Sequence, residues 1–126
     1  MRVLVDSHVA LWWLGTDASL GARCRELLRD ADEVFFSSVT PWELGIKRAI
    51  GQLSFPDGLA GELADGGLVE LPVSAAHAER APDLPPHHRD PFDRMLVAQA
   101  QLESLVLVSA DRALRPYDVE IIDALV

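Results

Sequence analysis

One cysteine, Cys24, stands in the whole chain, so an intrachain disulfide is impossible and a reducing, cytoplasmic setting is expected. No apolar stretch approaches the roughly 20 residues of a membrane span. Asp6 interrupts the apolar start after Val3-Leu4-Val5, so this segment does not read as a secretory signal. Positive charge is scarce: 11 Lys and Arg face 20 Asp and Glu, a formal charge of −9. That balance excludes a protein that coats nucleic acid generally, since counterion release needs a Lys/Arg surface. It does not exclude a nuclease, because carboxylates filled by metal ions become locally less negative. Lys47, Arg48, Arg89, Arg94, Arg112 and Arg115 also fall near acidic motifs. A phosphate-cradling Gly-rich loop, a Gly-x-Ser-x-Gly turn and cysteine pairs are all missing, so nucleotide-dependent and covalent-hydrolase chemistries lack their parts.

What the chain does have is a regular alternation of short apolar runs and helical patterns. Val3-Leu4-Val5, Val34-Phe35-Phe36, Leu68 to Val73, Leu105 to Val108 and Val119 to Ile122 read as strands too continuously apolar to be half-exposed. Helices are expected from a Ser7 cap through Leu14, from Leu20 to Asp30, and from a Thr40 cap with Pro41 at the first position, ending near Gly51. Others follow near Asp57, after a Ser74 cap, and after Asp90-Pro91, where Met95, Leu96, Ala98, Ala100 and Leu102 recur at helical spacing. Residues 82 to 89, with Pro85-Pro86-His87-His88, read as a rigid loop. Strands separated by helices imply an α/β fold with a mainly parallel sheet of about five strands and helices on both faces. No linker or repeat divides the chain, so residues 1–126 are expected to form one domain.

Four acids are the candidate chemistry: Asp6 and Asp111 just beyond predicted strands, Glu43 and Asp93 at the third positions of predicted helices. Ligands of open α/β sheets bind outside the carboxyl ends of the strands, where such acids converge. Converging carboxylates repel one another unless a cation, usually divalent, lies between them. Each acid also has a local explanation. Asp6 could close a strand, and Glu43 could complete a capping box with Thr40. Asp90 could be an N-cap, and Asp111 could lie in an ordinary turn. His87 and His88 are expected to be solvated loop residues, because no spaced His or Cys completes a tetrahedral zinc set. Cys24 is expected to be a buried helical thiol, His8 and His77 to be structural, and Trp12, Trp13 and Trp42 to be core or dimer contacts.

Three stretches carry a resemblance. Val3 to His8, Ser37-Ser38-Val39-Thr40-Pro41-Trp42-Glu43-Leu44, and His88-Arg89-Asp90-Pro91-Phe92-Asp93-Arg94 through Ala100 resemble PIN-domain proteins, and among them VapC-type toxins of toxin–antitoxin pairs. Leu107-Val108-Ser109-Ala110-Asp111 matches more loosely. The resemblance implies a PIN-like three-layer fold and a metal-dependent endoribonuclease using Mg²⁺ or Mn²⁺. It also implies an RNA substrate, a cognate antitoxin and a homodimer. Asp6, Glu43, Asp93 and Asp111 are then catalytic. Asp6, Asp93 and Asp111 hold metal, and Glu43 orients or deprotonates the attacking water. Ser7, Thr40 and Ser109 would steady the carboxylates, and Arg89, Arg94 and Arg112 would hold RNA. The apolar helix from Val9 to Leu14 offers a dimer surface. Two other readings compete: a binding module whose acids are only caps, and a phosphoacceptor signalling domain. The latter needs a lysine where Asp111 stands.

Overall fold

In a computed structural model describing residues 1–126, the central strands divide their side chains between two cores. Val3, Val5, Val34, Phe36 and Val108 face one side of the sheet, while Leu4, Phe35 and Leu107 face the other. This is why the strands read as unbroken apolar runs: a parallel sheet covered on both faces has no solvent side to alternate with. Each fully buried aliphatic or Phe side chain contributes about 1.5–3 kcal/mol, so both faces hold the sheet firmly.

The elements run β1 (Arg2–Val5), α1 (Ser7–Gly15), α2 (Ala22–Asp30), β2 (Glu33–Ser37), α3 (Val39–Ala49) and α4 (Leu59–Asp65). They continue β3 (Val69–Leu71), α5 (Ala75–Asp83), α6 (Pro91–Glu103), β4 (Val106–Ser109), a 3-10 turn (Arg112–Leu114) and β5 (Ile121–Asp123). Residues of α1, α2, Leu44 of α3 and α4 fill the first core. Residues of α5 and α6, with Leu114 and Tyr117, fill the second. Strand order is β3-β2-β1-β4-β5, and every pairing is parallel. The expected three-layer α/β architecture is therefore present, and no antiparallel strand is needed.

That order positions the site. From β1 the chain winds outward through β2 to β3, then returns to lay β4 on the other side of β1. A crevice opens between β1 and β4 at their carboxyl ends, the switch point where such sheets take ligands. The Asp6 N–H donates to the Val108 carbonyl at 3.1 Å, which extends the β1–β4 ladder by one residue. Asp6 and Ser109 consequently emerge side by side.

Two local expectations change. Helix α3 begins at Val39, two residues before Pro41, because the Ser37 hydroxyl accepts the Val39 N–H at 3.2 Å. Thr40 is thus a buried residue inside the helix and makes no cap, and Glu43 sits a full turn in. The second change concerns α1: Val9 and Ala10 are buried, and Leu11 to Leu14 pack against the first core. Large apolar side chains are left in solvent on α3 at Trp42 and Ile46, at Ile50 just past its end, and on α6 at Leu102. Cys24 is buried as expected, and burial pushes its thiol up to about 11. No helix is long and apolar enough to cross a membrane.

Candidate active site

Asp6, Glu43, Asp90, Asp93 and Asp111 line one cleft of about 350 Å³ at the switch point, together with Ser7, His8, Trp12, Lys47 and Ala110. Each acid arrives by a different local device. Asp6 leaves β1 and caps α1, with Oδ1 accepting the Val9 N–H at 2.9 Å. Its other oxygen accepts the Ser109 hydroxyl at 2.5 Å. Asp90 caps α6, accepting the N–H groups of Phe92 at 2.8 Å and Asp93 at 3.3 Å, and Pro91 takes the first helical position, where a missing N–H costs nothing. Asp93 follows on the first turn. Asp111 leaves β4 and caps the 3-10 turn through Ala113 N–H at 2.9 Å.

Glu43 has no capping role. Its Oε1 accepts the Ser7 hydroxyl at 2.5 Å, and its Oε2 meets Lys47 Nζ at 3.4 Å, one turn along the same helix. It is 5% exposed, so a buried carboxylate is kept in place by one hydroxyl and one ammonium. Ser7 and Ser109 therefore do steady the acids. Thr40 does not reach one; its hydroxyl lies 3.5 Å from Ser7 Oγ.

Two overlapping groups of ligand atoms result. Glu43, Asp90 and Asp93 offer oxygens within 4.8 Å of one another, and His88, Asp93 and Asp111 form a second such group. Asp93 belongs to both. Asp6 lines the same cleft but belongs to neither group.

The electrostatics follow from this crowding. Burial pushes the Asp93 carboxyl up to about 7, with the charges of Asp90 and Glu43 adding to the effect. Burial also raises Asp6, against the Ser109 and Val9 hydrogen bonds that oppose it. Asp111 is held below its ordinary value: burial pushes it up, but the Ala113 N–H and His88 outweigh that. Ionising the whole set is unfavourable with Lys47 as the lining's lysine. A divalent cation relieves that repulsion, and the donors are carboxylate oxygens of the kind that hard cations prefer. The residues present thus fit a divalent metal, with Asp93 as the shared ligand and Asp6, Glu43, Asp90 and Asp111 around it.

A sequence profile of the PIN domain matches residues 3–120. The chain belongs to the PIN-domain family. It is 34% identical over 122 residues to ribonuclease VapC22 of Mycobacterium tuberculosis, a match covering 91% of each chain. Among solved structures, VapBC2 from Rickettsia felis bound to a DNA fragment from its promoter superposes with a TM-score of 0.72, at 14% identity and 98% coverage of each chain. VapBC from Salmonella typhimurium, also DNA-bound, gives 0.67 at 16% identity, and FitAcB from Neisseria gonorrhoeae gives 0.64 at 18%, both again covering 98% of each chain. At these identities the structures speak for the PIN fold.

Three residues of this PIN domain stand differently from the sequence expectation. His88 is no solvated loop residue: its Nε2 lies 2.9 Å from Asp111 Oδ2 and 3.1 Å from Asp93 Oδ2. Arg94 does not face the cleft. Its guanidinium donates to the carbonyls of Ala81, Pro82, Leu84, Pro85 and His88 and to the Tyr117 hydroxyl, at 2.9 to 3.3 Å. A side chain whose donors are spent on six oxygens is a clamp for the proline-rich loop, and it is withdrawn as an RNA contact. Lys47 joins the lining beside Glu43, and the i,i+4 spacing on α3 was the available signal for it. Arg89 and Arg112 are exposed, and their side chains form no hydrogen bond or ion pair. His77 is structural as expected: it is buried, completes a capping box with Ser74 and reaches Glu103 at 2.9 Å. His8 is exposed at the cleft.

Proposed function

We propose that this chain is a metal-dependent endoribonuclease, the toxin of a toxin–antitoxin pair, and that the whole of residues 1–126 works as one domain. The observation that carries the reading is the position of Asp93, which meets Glu43 and Asp90 on one side and Asp111 on the other at the switch point of a PIN fold. The VapC22 relative is named a ribonuclease. A divalent ion held there lowers the pKa of a bound water and stabilises charge on the scissile phosphate. Mg²⁺ and Mn²⁺ are the candidates, because both accept carboxylate and water oxygens.

The side chains divide the remaining work. Asp6, Asp93 and Asp111 hold the metal, with Asp90 beside them. Glu43, oriented by Ser7 and Lys47, accepts the proton of the attacking water. Arg89 and Arg112, free at the surface, meet the RNA backbone. Attack by water opens the phosphodiester to a 5′-phosphate and a 3′-hydroxyl, so the ribose 2′-OH takes no part.

The structural neighbours are VapBC and FitAB assemblies, which supports a cognate antitoxin as partner. Homodimerisation and a cytoplasmic location belong to the same proposal. The test uses purified protein freed of any bound partner and looped RNA, with Mg²⁺, with Mn²⁺ or with a chelator. Metal-dependent fragments bearing 5′-phosphate and 3′-hydroxyl ends are expected. Cleavage that persists under chelation, or fragments ending in 2′,3′-cyclic phosphate, would remove the mechanism.

A further inference from the structure

His88 is fixed on three sides by groups other than carboxylates. Its main-chain N–H donates to the Tyr117 hydroxyl at 2.9 Å, and its carbonyl accepts from Arg94 at 3.2 Å. Its ring Nδ1 accepts the main-chain N–H of Asp90 at 3.1 Å. That third bond decides the tautomer. A nitrogen that accepts an N–H has its lone pair in use, so the ring proton of the neutral imidazole resides on Nε2. Turning the ring over would bring a C–H against the Asp90 N–H and another against the carboxylates, losing both contacts.

Nε2 is the atom that lies between Asp93 Oδ2 and Asp111 Oδ2. A metal-binding imidazole needs the opposite arrangement: a bare nitrogen toward the ion and an N–H on the far side, given to an acceptor. Here the far side meets a donor. Proximity alone would make His88 a third ligand beside Asp93 and Asp111, and the hydrogen bonding contradicts that.

We propose that His88 is a positioning residue: its Nε2–H bridges Asp93 of α6 and Asp111 beyond β4 and holds both carboxylates toward one ion without ligating it. The proposal rests on the reading of the cleft as a divalent-metal site. It also gives the Arg94 clamp a functional consequence. The six oxygens that Arg94 gathers include the His88 carbonyl and the Tyr117 hydroxyl that fixes the His88 N–H, so the clamp sets where Nε2 points.

Two amides separate the parts of the imidazole. Gln can place an N–H₂ near the Nε2 position, and Asn can keep an acceptor near Nδ1 for the Asp90 N–H while offering the carboxylates nothing. Mn²⁺ affinity of the wild type, H88Q and H88N is measured by calorimetry, and pulsed electron paramagnetic resonance of each Mn²⁺-loaded protein reads directly bound nitrogen. H88N, which keeps the loop contact, is expected to melt within a few degrees of the wild type and to bind Mn²⁺ about 10–100-fold more weakly, the usual range for removing a partner of a metal ligand. H88Q is expected to recover most of that loss, and no protein should show the ¹⁴N coupling of a bound imidazole. A ¹⁴N coupling in the wild type that vanishes in H88N would make His88 a ligand and overturn the proposal. Equal Mn²⁺ affinity in H88N and wild type would overturn it while leaving the metal site standing. A wild type that takes up no Mn²⁺ or Mg²⁺ would remove the metal site itself, and the proposal with it.

Discussion

Ser109 and Asp6 meet across the ends of two adjacent parallel strands, the hydroxyl donating to the carboxylate at 2.5 Å. The contact exists because the β1–β4 ladder runs one residue past Val5, placing the two side by side at the crevice. The same hydroxyl accepts the Asp111 N–H at 3.0 Å, so one side chain links the two strand-end acids. Removing it in S109A leaves Asp6 without its side-chain donor, and the Asp6 carboxyl, already raised by burial, rises further. The expected result is a Mn²⁺ affinity about 10-fold weaker, with the cleavage rate regaining its wild-type value more closely at higher pH. Calorimetric titration and a pH–rate profile check both parts.

Stability without metal should fall as pH rises. Asp93 keeps its proton to about pH 7 in the folded chain, against an ordinary 3.8 when unfolded. Across that window the folded state holds the extra proton, so stability is full below about pH 4 and is lost as pH rises through about 7. Asp6 acts in the same direction. Asp111, held low, has the opposite slope, confined to more acidic pH. D93N removes the Asp93 contribution, and at pH 8 with chelator it should be the more stable protein by on the order of 2 kcal/mol. Thermal melts of both proteins at pH 4 and pH 8 check this, and the gap between them should close at the lower pH.

The arginines should separate cleanly. R94K loses a planar fork that serves six oxygens, and an ammonium with three donors cannot replace it. A loss of about 2–3 kcal/mol of stability is expected in a denaturant titration. R89A and R112A should leave melting unchanged, weaken RNA binding, and reduce its salt slope by about 1 each. Filter binding across a salt series reads that difference.

Glu43 should matter to turnover. E43Q preserves the side-chain shape and the Ser7 contact but removes the base, so kcat is expected to fall about 10²–10⁴-fold while the protein stays folded. Single-turnover cleavage with saturating Mn²⁺ measures it.

Much of this architecture was legible in the chain. Continuous apolar runs such as Val3 to Val5 named the strands of a two-faced parallel sheet, and Asp90-Pro91 named the start of α6 because cap and proline act within one turn. The residues that misled were those whose role is set by distant partners. For Glu43 the competing capping explanation was the one that failed, because Ser37 starts the helix earlier and Ser7, 36 residues away, holds the carboxylate. Arg94 looked like a phosphate contact, yet its carbonyl partners lie at the end of α5 and in the loop that leads to α6. His88 looked solvated because no spaced His or Cys completes a zinc set, yet its ring is turned inward by the Asp90 N–H and meets both Asp93 and the distant Asp111. Local chemistry was readable from sequence, and long-range pairing was not.

The central claim is that the acids exist for cleavage and are tolerated at a cost to the metal-free fold. It is tested most directly by incubating total cellular RNA with wild type and with D93N, each with Mg²⁺, Mn²⁺ or chelator. The account predicts discrete fragments from the wild type only with metal, and none from D93N, although D93N melts at or above the wild-type temperature. Equal cleavage by a folded D93N, or a folded wild type that cuts with neither metal, would contradict it.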